Sequence, residues 1–129
     1  LLVSRRMKYT HNSTGPEFSQ LRAKNSYNPA YMHSVDLERL GIGDGEQIQV
    51  HSPDGMIPAI AERSDDVKPG IISMAHSWGG SPDPASGTDA QVRELGSNTN
   101  RLIANNNRRE KYSAMVQLST IPVRIQKTE

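Results

Sequence analysis

The sequence predicts a mainly β domain in which short strands close, or nearly close, into a small barrel. Three observations predict it. Apolar and polar residues alternate in several short runs, most regularly over Glu46 to Ser52, where Ile48 and Val50 face in and Gln47, Gln49 and His51 face out. Tight-turn signals separate the runs, above all Pro53-Asp54-Gly55 and Pro69-Gly70. One stretch alone carries a clear helix signature. Such a series favours a barrel over a helical or doubly wound fold.

In chain order, Leu1-Leu2-Val3 reads as a strand that ends at Arg5-Arg6. Thr10 to Pro16 is rich in turn formers and reads as a loop, and Gln20 to Lys24 as a helical turn. Asn28-Pro29 breaks that turn, and Ala30 to His33 reads as a short strand. Ser34 then suits a helix N-cap, because its hydroxyl can accept a free N–H of the first turn. Val35, Leu37 and Leu40 form the apolar stripe of that helix, and Gly41 suits its left-handed end. Gly43-Asp44-Gly45 is a turn. A β-hairpin follows over residues 46–62, its second strand running from Met56 to Glu62. Ile71 to Ala75 is the next strand. Residues 77–100 have little apolar content and read as a long loop. Ile121, Val123 and Ile125 alternate as a last strand, with Pro122 at a non-bonded or edge site.

At 129 residues the chain is one ordinary domain, and it begins at Leu1, so it reads as a piece of a longer or processed polypeptide. The formal net charge is +1, which argues against a strongly basic nucleic-acid binder. No apolar run approaches the roughly 20 residues of a membrane span. Cysteine is absent, which excludes disulfides, thiolate metal sites and a cysteine nucleophile. Arg5-Arg6 resembles an export signal only superficially, because Tyr9 to Gln20 is polar. No signal assigns a compartment, and the cytoplasm is slightly favoured over the periplasm. The charge is uneven. Residues 1–33 hold five basic groups against one acidic, residues 34–95 four against eleven, and residues 96–129 six against two. Two basic ends therefore flank an acidic middle.

Several motifs fail on inspection. Gly41-Ile42-Gly43-Asp44-Gly45 has the glycines of a phosphate loop but the order helix, loop, strand, the reverse of a dinucleotide fingerprint. His11, His33, His51 and His76 are scattered without metal-ligand spacing. No nucleophile elbow surrounds a serine. His76-Ser77-Trp78-Gly79-Gly80 is more informative, because it follows a strand and offers an imidazole, a hydroxyl, the lone Trp and two glycines that admit close approach. The same segment also reads as a plug, with Trp78 closing the barrel end. Asn98-Thr99-Asn100-Arg101 offers amides suited to a heterocycle edge and a guanidinium suited to phosphate, or is an ordinary turn. Arg5-Arg6 with His11-Asn12-Ser13 is a third polar cluster past a strand. Together the three favour an anionic ligand with a ring system.

The order of elements resembles the C-terminal domain of the molybdopterin oxidoreductases, the dimethyl-sulfoxide-reductase-type enzymes. The stretch that carries most of the resemblance is Val35-Asp36-Leu37-Glu38-Arg39-Leu40-Gly41-Ile42-Gly43-Asp44-Gly45 with Ile48-Gln49-Val50, continuing through Ser52-Pro53-Asp54-Gly55 to Val67-Lys68-Pro69-Gly70. The resemblance covers nearly the whole chain. Departures are Tyr112-Ser113-Ala114-Met115, where the family often has a small residue, Gly and Pro, and the run Asn105-Asn106-Asn107-Arg108-Arg109.

The resemblance implies a six-stranded double-psi β-barrel, the aspartate-decarboxylase-like barrel, with short helices and a long loop. It implies that residues 1–129 are a single domain from the C-terminal part of a larger chain, binding molybdopterin guanine dinucleotide. Its cofactor-binding residues would be Arg5, Arg6, His11, Asn12 and Ser13; His76, Ser77 and Trp78; and Asn100 and Arg101. No catalytic or metal-ligating residue is expected here, since molybdenum or tungsten would be carried mainly by the other domains. The expected partners are those remaining domains and the pterin dinucleotide, with no nucleic acid and no membrane span, and the domain alone would be inactive. The alternative is an adaptor-binding double-psi barrel such as the N-terminal domain of an AAA ATPase. Nucleic-acid binding through the basic ends ranks last, with only Tyr9, Phe18, Tyr27 and Tyr31 placed to stack.

Overall fold

A computed structural model describes residues 1–15, 17–79, 87–104 and 109–128. Pro16, Gly80, residues 81–86 of the expected long loop and the run Asn105-Asn106-Asn107-Arg108 lie outside the described residues. The elements in order are β1 (Leu2–Arg5), α1 (Ser19–Arg22), β2 (Ala30–Met32), α2 (Ser34–Leu40), β3 (Gln47–His51), β4 (Met56–Arg63), β5 (Ile72–Ala75), α3 (Asp89–Leu95), a 3-10 turn (Thr99–Leu102) and β6 (Arg124–Lys127).

The six strands form one sheet in the order β1-β5-β2-β4-β3-β6. Two neighbouring pairs, β1 with β5 and β2 with β4, are parallel, and the other three are antiparallel. The sheet curls, and the chain just before β6 bridges back to β1. Leu2 N–H donates to the Ile121 carbonyl at 2.8 Å, and Ile121 N–H donates back to Leu2 at 3.0 Å. This bridge brings the approach to β6 onto β1 and gives the sheet its barrel-like form. Inside it lie Leu2, Met32, Ile48, Val50, Ile57 and Met74. Each such side chain contributes about 1.5–3 kcal/mol by leaving water.

The hairpin follows the sequence pattern. Ile48 and Val50 are fully buried, and β3 pairs with β4 from Gln47↔Ile60 to His51↔Met56. In β4 the alternation gives way to five consecutive buried residues, 57–61. This strand lies between β2 and β3, and α3 and the 3-10 turn pack on it as well, so both of its faces are covered. A Cβ on Gly55 would collide with the carbonyl oxygen of Arg101. Glycine is what lets the hairpin turn seat against the 3-10 turn.

Four expectations are corrected. The cap of α2 is His33, not Ser34: the His33 Nδ1 accepts from Val35 N–H at 3.1 Å, and Ser34 is already helical. The imidazole reaches the free amide two residues on and displaces the hydroxyl from that role. The stripe of α2 is narrower than its spacing suggests, since Leu37 is buried but Val35 and Leu40 are exposed. Asp36 is buried instead, because Arg39 (2.8 Å) and the Gly70 N–H (2.5 Å) satisfy its two oxygens. The stretch 77–100 is not one long loop, since α3 and the start of the 3-10 turn lie in it. A capping box between Thr88 and Gln91 starts α3, and Val92 anchors it in the interior. Finally, β6 begins at Arg124, because Ile121 is spent on the bridge to Leu2 and Pro122 has no N–H to offer.

Candidate functional site

Parallel pairing decides what stands at the sheet's upper rim. β1 and β5 run side by side with Arg5 opposite Ala75. Parallel strands end at the same edge, so the residues that follow them, Arg6 and His76, emerge together. The 3-10 turn closes on the same place. A cleft of about 520 Å³ results, lined by Ser4, Arg6, Asn12, His76, Ser77, Thr99, Asn100, Ile103 and Leu118. Among the described residues of the lining, Arg6 alone carries a permanent charge and none is a carboxylate, so this part of the cleft favours an anion.

Local bonds hold these side chains. Arg6 Nη1 donates to Asn12 Oδ1 at 3.1 Å, and His76 Nδ1 lies 2.5 Å from Ser77 Oγ. Asn98 Oδ1 accepts from Asn100 N–H at 3.0 Å and caps the 3-10 turn. Ser4 Oγ donates to the Leu118 carbonyl at 2.6 Å, and Ser4 N–H to Ser119 Oγ at 3.2 Å, which draws the Leu118–Ser119 segment against β1. Two of the lining residues have left-handed backbones, Asn12 at φ 54° and Ser77 at φ 76°. Asparagine tolerates this conformation well. At serine it costs about 1–2 kcal/mol.

The residues expected from the sequence divide between the cleft and its surroundings. Arg6, Asn12, His76, Ser77 and Asn100 come together in the lining. Ser13 and Trp78 lie next door in a depression of about 250 Å³ that shares Ser77 with the cleft. Trp78 is only 5% exposed and packs against Gly96. Arg5 turns away, its guanidinium 4.5 Å from the centre of the Tyr31 ring, because successive strand residues point to opposite faces. His11 lines a separate depression with Lys8, Tyr9 and Phe18. Arg101 is outside the lining, and its carbonyl faces Gly55. Sequence reasoning placed Thr99 in a polar cluster without assigning it to the ligand, and passed over Ser4, Ile103 and Leu118. Ser4 was legible, since it lies in β1 two residues before Arg6; Thr99, Ile103 and Leu118 are placed by the 3-10 turn and the return to β1. Among the described residues, no group of three or more His, Asp or Glu is placed to hold a metal ion.

Residues 1–122 match the family described as molydopterin dinucleotide binding domain. The chain belongs to that family. It is thus a domain of the kind that binds a molybdopterin dinucleotide, the cofactor expected from the sequence. A protein of Halobacterium salinarum, by its name a catalytic subunit of dimethyl sulfoxide reductase, is 28% identical over 78 residues, which are 60% of this chain and 9% of that protein. Acetylene hydratase from Pelobacter acetylenicus has the same fold over 98% of this chain and 18% of its own, with a TM-score of 0.79 at 18% identity. The molydopterin domain therefore spans a small part of either relative. None of these matches supports the adaptor-binding alternative. Among the described residues, no helix is long and apolar enough to cross a membrane.

Proposed function

We propose that the rim cleft is where this domain holds molybdopterin guanine dinucleotide, as the C-terminal domain of a molybdenum or tungsten oxidoreductase. The observation that carries the proposal is convergence: three polar segments, far apart in sequence, meet at one cleft whose described lining residues include an arginine and no carboxylate. Its volume lies within the roughly 300–1,000 Å³ of small-molecule sites. The donor set suits the group. The Arg6 guanidinium presents a planar fork to a diphosphate. Asn100 offers an amide able both to donate to and to accept from the edge of a pterin or guanine. Ser77 and Thr99 add hydroxyls. Arg5, His11, Ser13, Trp78 and Arg101 stand outside the lining and enter the proposal through the resemblance alone.

When bound, the group supplies the dithiolene-held metal that carries redox chemistry. The residues of this chain bind and orient it and transfer no electrons. The two parallel pairs among six short strands support the double-psi description of the barrel. In the full-length enzyme, Arg6→Ala and Asn100→Ala are each expected to lower cofactor affinity about tenfold or more, the loss of one charged or bidentate contact. The measurement is guanosine monophosphate released by acid hydrolysis per mole of purified enzyme. Wild-type release from both variants overturns the proposal.

A further inference from the structure

Asn28 is 2% exposed and lies outside the cleft, just before Pro29 and β2. Its carboxamide makes three hydrogen bonds to two distant segments. Nδ2 donates to the Ala75 carbonyl at 2.8 Å and to the Ser97 carbonyl at 2.9 Å, and Oδ1 accepts from Ser97 N–H at 2.8 Å. Ala75 is the residue before His76. Ser97 leads through Asn98 into Thr99 and Asn100. One buried side chain thus fastens the roots of two of the loops that line the cleft. Gly96 completes the joint, since a Cβ there would stand 2.8 Å from Asn28 Oδ1 and 2.7 Å from Trp78 Cε3.

The chemistry at this position admits few substitutes. Both amide hydrogens and the amide oxygen are used, so an aspartate would turn a carboxylate toward two carbonyl oxygens, and a glutamine would need room for a further methylene in a closed space. We infer that Asn28 is a positioning residue that sets the spacing of the His76–Ser77 and Thr99–Asn100 walls and so the fit of the cleft to its ligand. This rests on the proposed role of the cleft. Ser97 provides an internal control. Its Oγ donates to the Pro58 carbonyl, so Ser97→Ala removes a buried hydrogen bond from the same segment and leaves the three Asn28 bonds intact.

The test uses the full-length enzyme carrying Asn28→Asp or Ser97→Ala, with bound guanosine monophosphate, melting temperature and peptide-resolved hydrogen exchange measured on each. Asn28→Asp is expected to reduce cofactor occupancy at least tenfold and to deprotect residues 75–79 and 97–103 together, with residues 47–63 unchanged. Ser97→Ala is expected to lower the melting temperature while keeping the cofactor. In combination with Asn100→Ala, the loss from Asn28→Asp is expected to fall short of the product of the two single losses. Asn28→Ser makes the same comparison should the aspartate variant fail to fold. The inference is overturned if the Asn28 variants keep wild-type occupancy, if Ser97→Ala loses as much cofactor per degree of melting temperature, or if the two loops lose protection independently. The role of the cleft fails separately, on wild-type occupancy in Arg6→Ala and Asn100→Ala, and the exchange pattern still decides whether Asn28 couples the loops.

Discussion

In the β3–β4 hairpin, Ile48, Val50, Ile57 and Ile60 are each at most 1% exposed, and the register runs unbroken across five residue pairs. Around the cleft the backbone turns left-handed at Asn12 and Ser77, and seven of the nine described lining residues are polar, most of them at least partly open to water. The hairpin turn seats against the 3-10 turn that flanks the cleft, where Gly55 meets the Arg101 carbonyl. The first derives its stability from burying regular apolar surface. The second gives up regularity to aim polar groups at one point, and depends on the first to hold its ends. Strain collects at sites that the surrounding structure over-determines.

The contrast can be broken most forcefully from the hairpin. Ile48→Ala is expected to cost about 2–5 kcal/mol in urea unfolding, through lost burial and the cavity left behind. The folded fraction should keep its ligand affinity, because Ile48 does not line the cleft. A sharper comparison places the same substitution in both regions. Gln49→Gly in β3 should cost about 1 kcal/mol, the usual penalty of glycine within a strand. Ser77→Gly should cost close to nothing, because relief of the left-handed serine offsets the greater freedom of the unfolded chain. Equal losses at the two positions would remove the claim that Ser77 is strained.

The smallest expected effect concerns the polar belt outside the hairpin. Tyr27 donates to Glu62 at the end of β4, and Arg93 approaches its hydroxyl at 3.4 Å. Burial first, and then the Glu62 carboxylate, push the Tyr27 phenol up to about 12. A raised phenol value means that the folded state favours the protonated form. Its contribution is therefore fully present below pH 10 and lost as pH rises through about 12. Tyr27→Phe should remove that alkaline dependence, at a cost below about 1 kcal/mol because water screens a half-exposed hydroxyl. Tyrosine-labelled NMR should show one phenol titrating above the others, and four coincident titrations would count against it.

Legibility differed between these regions for physical reasons. The hairpin was readable because a two-residue period and a Pro-Asp-Gly turn are local signals. The Gly41 helix end was readable because a left-handed position favours glycine, and its φ is 64°. The His33 cap was missed because an imidazole rarely takes that part. Helix α3 was missed because one buried apolar residue, Val92, leaves almost no stripe; the Thr88–Gln91 pair was the signal available. Of two adjacent arginines, composition could not say which faces the cleft. The structure separates them: Arg5, the last residue of β1, stands over the Tyr31 ring, and Arg6, just past the strand, lines the cleft.

The sequence by itself determined most of the strands, the turns and the three polar clusters, because these depend on residues within a few positions of one another, and the family, because the order of such local signals runs along nearly the whole chain. The tertiary structure decided which members of those clusters meet. That choice follows from the parallel pairing of β1 with β5, the bridge from Leu2 to Ile121 and the buried bonds of Asn28. Each joins residues separated by 47 or more positions, and no local preference of the chain encodes such a distance.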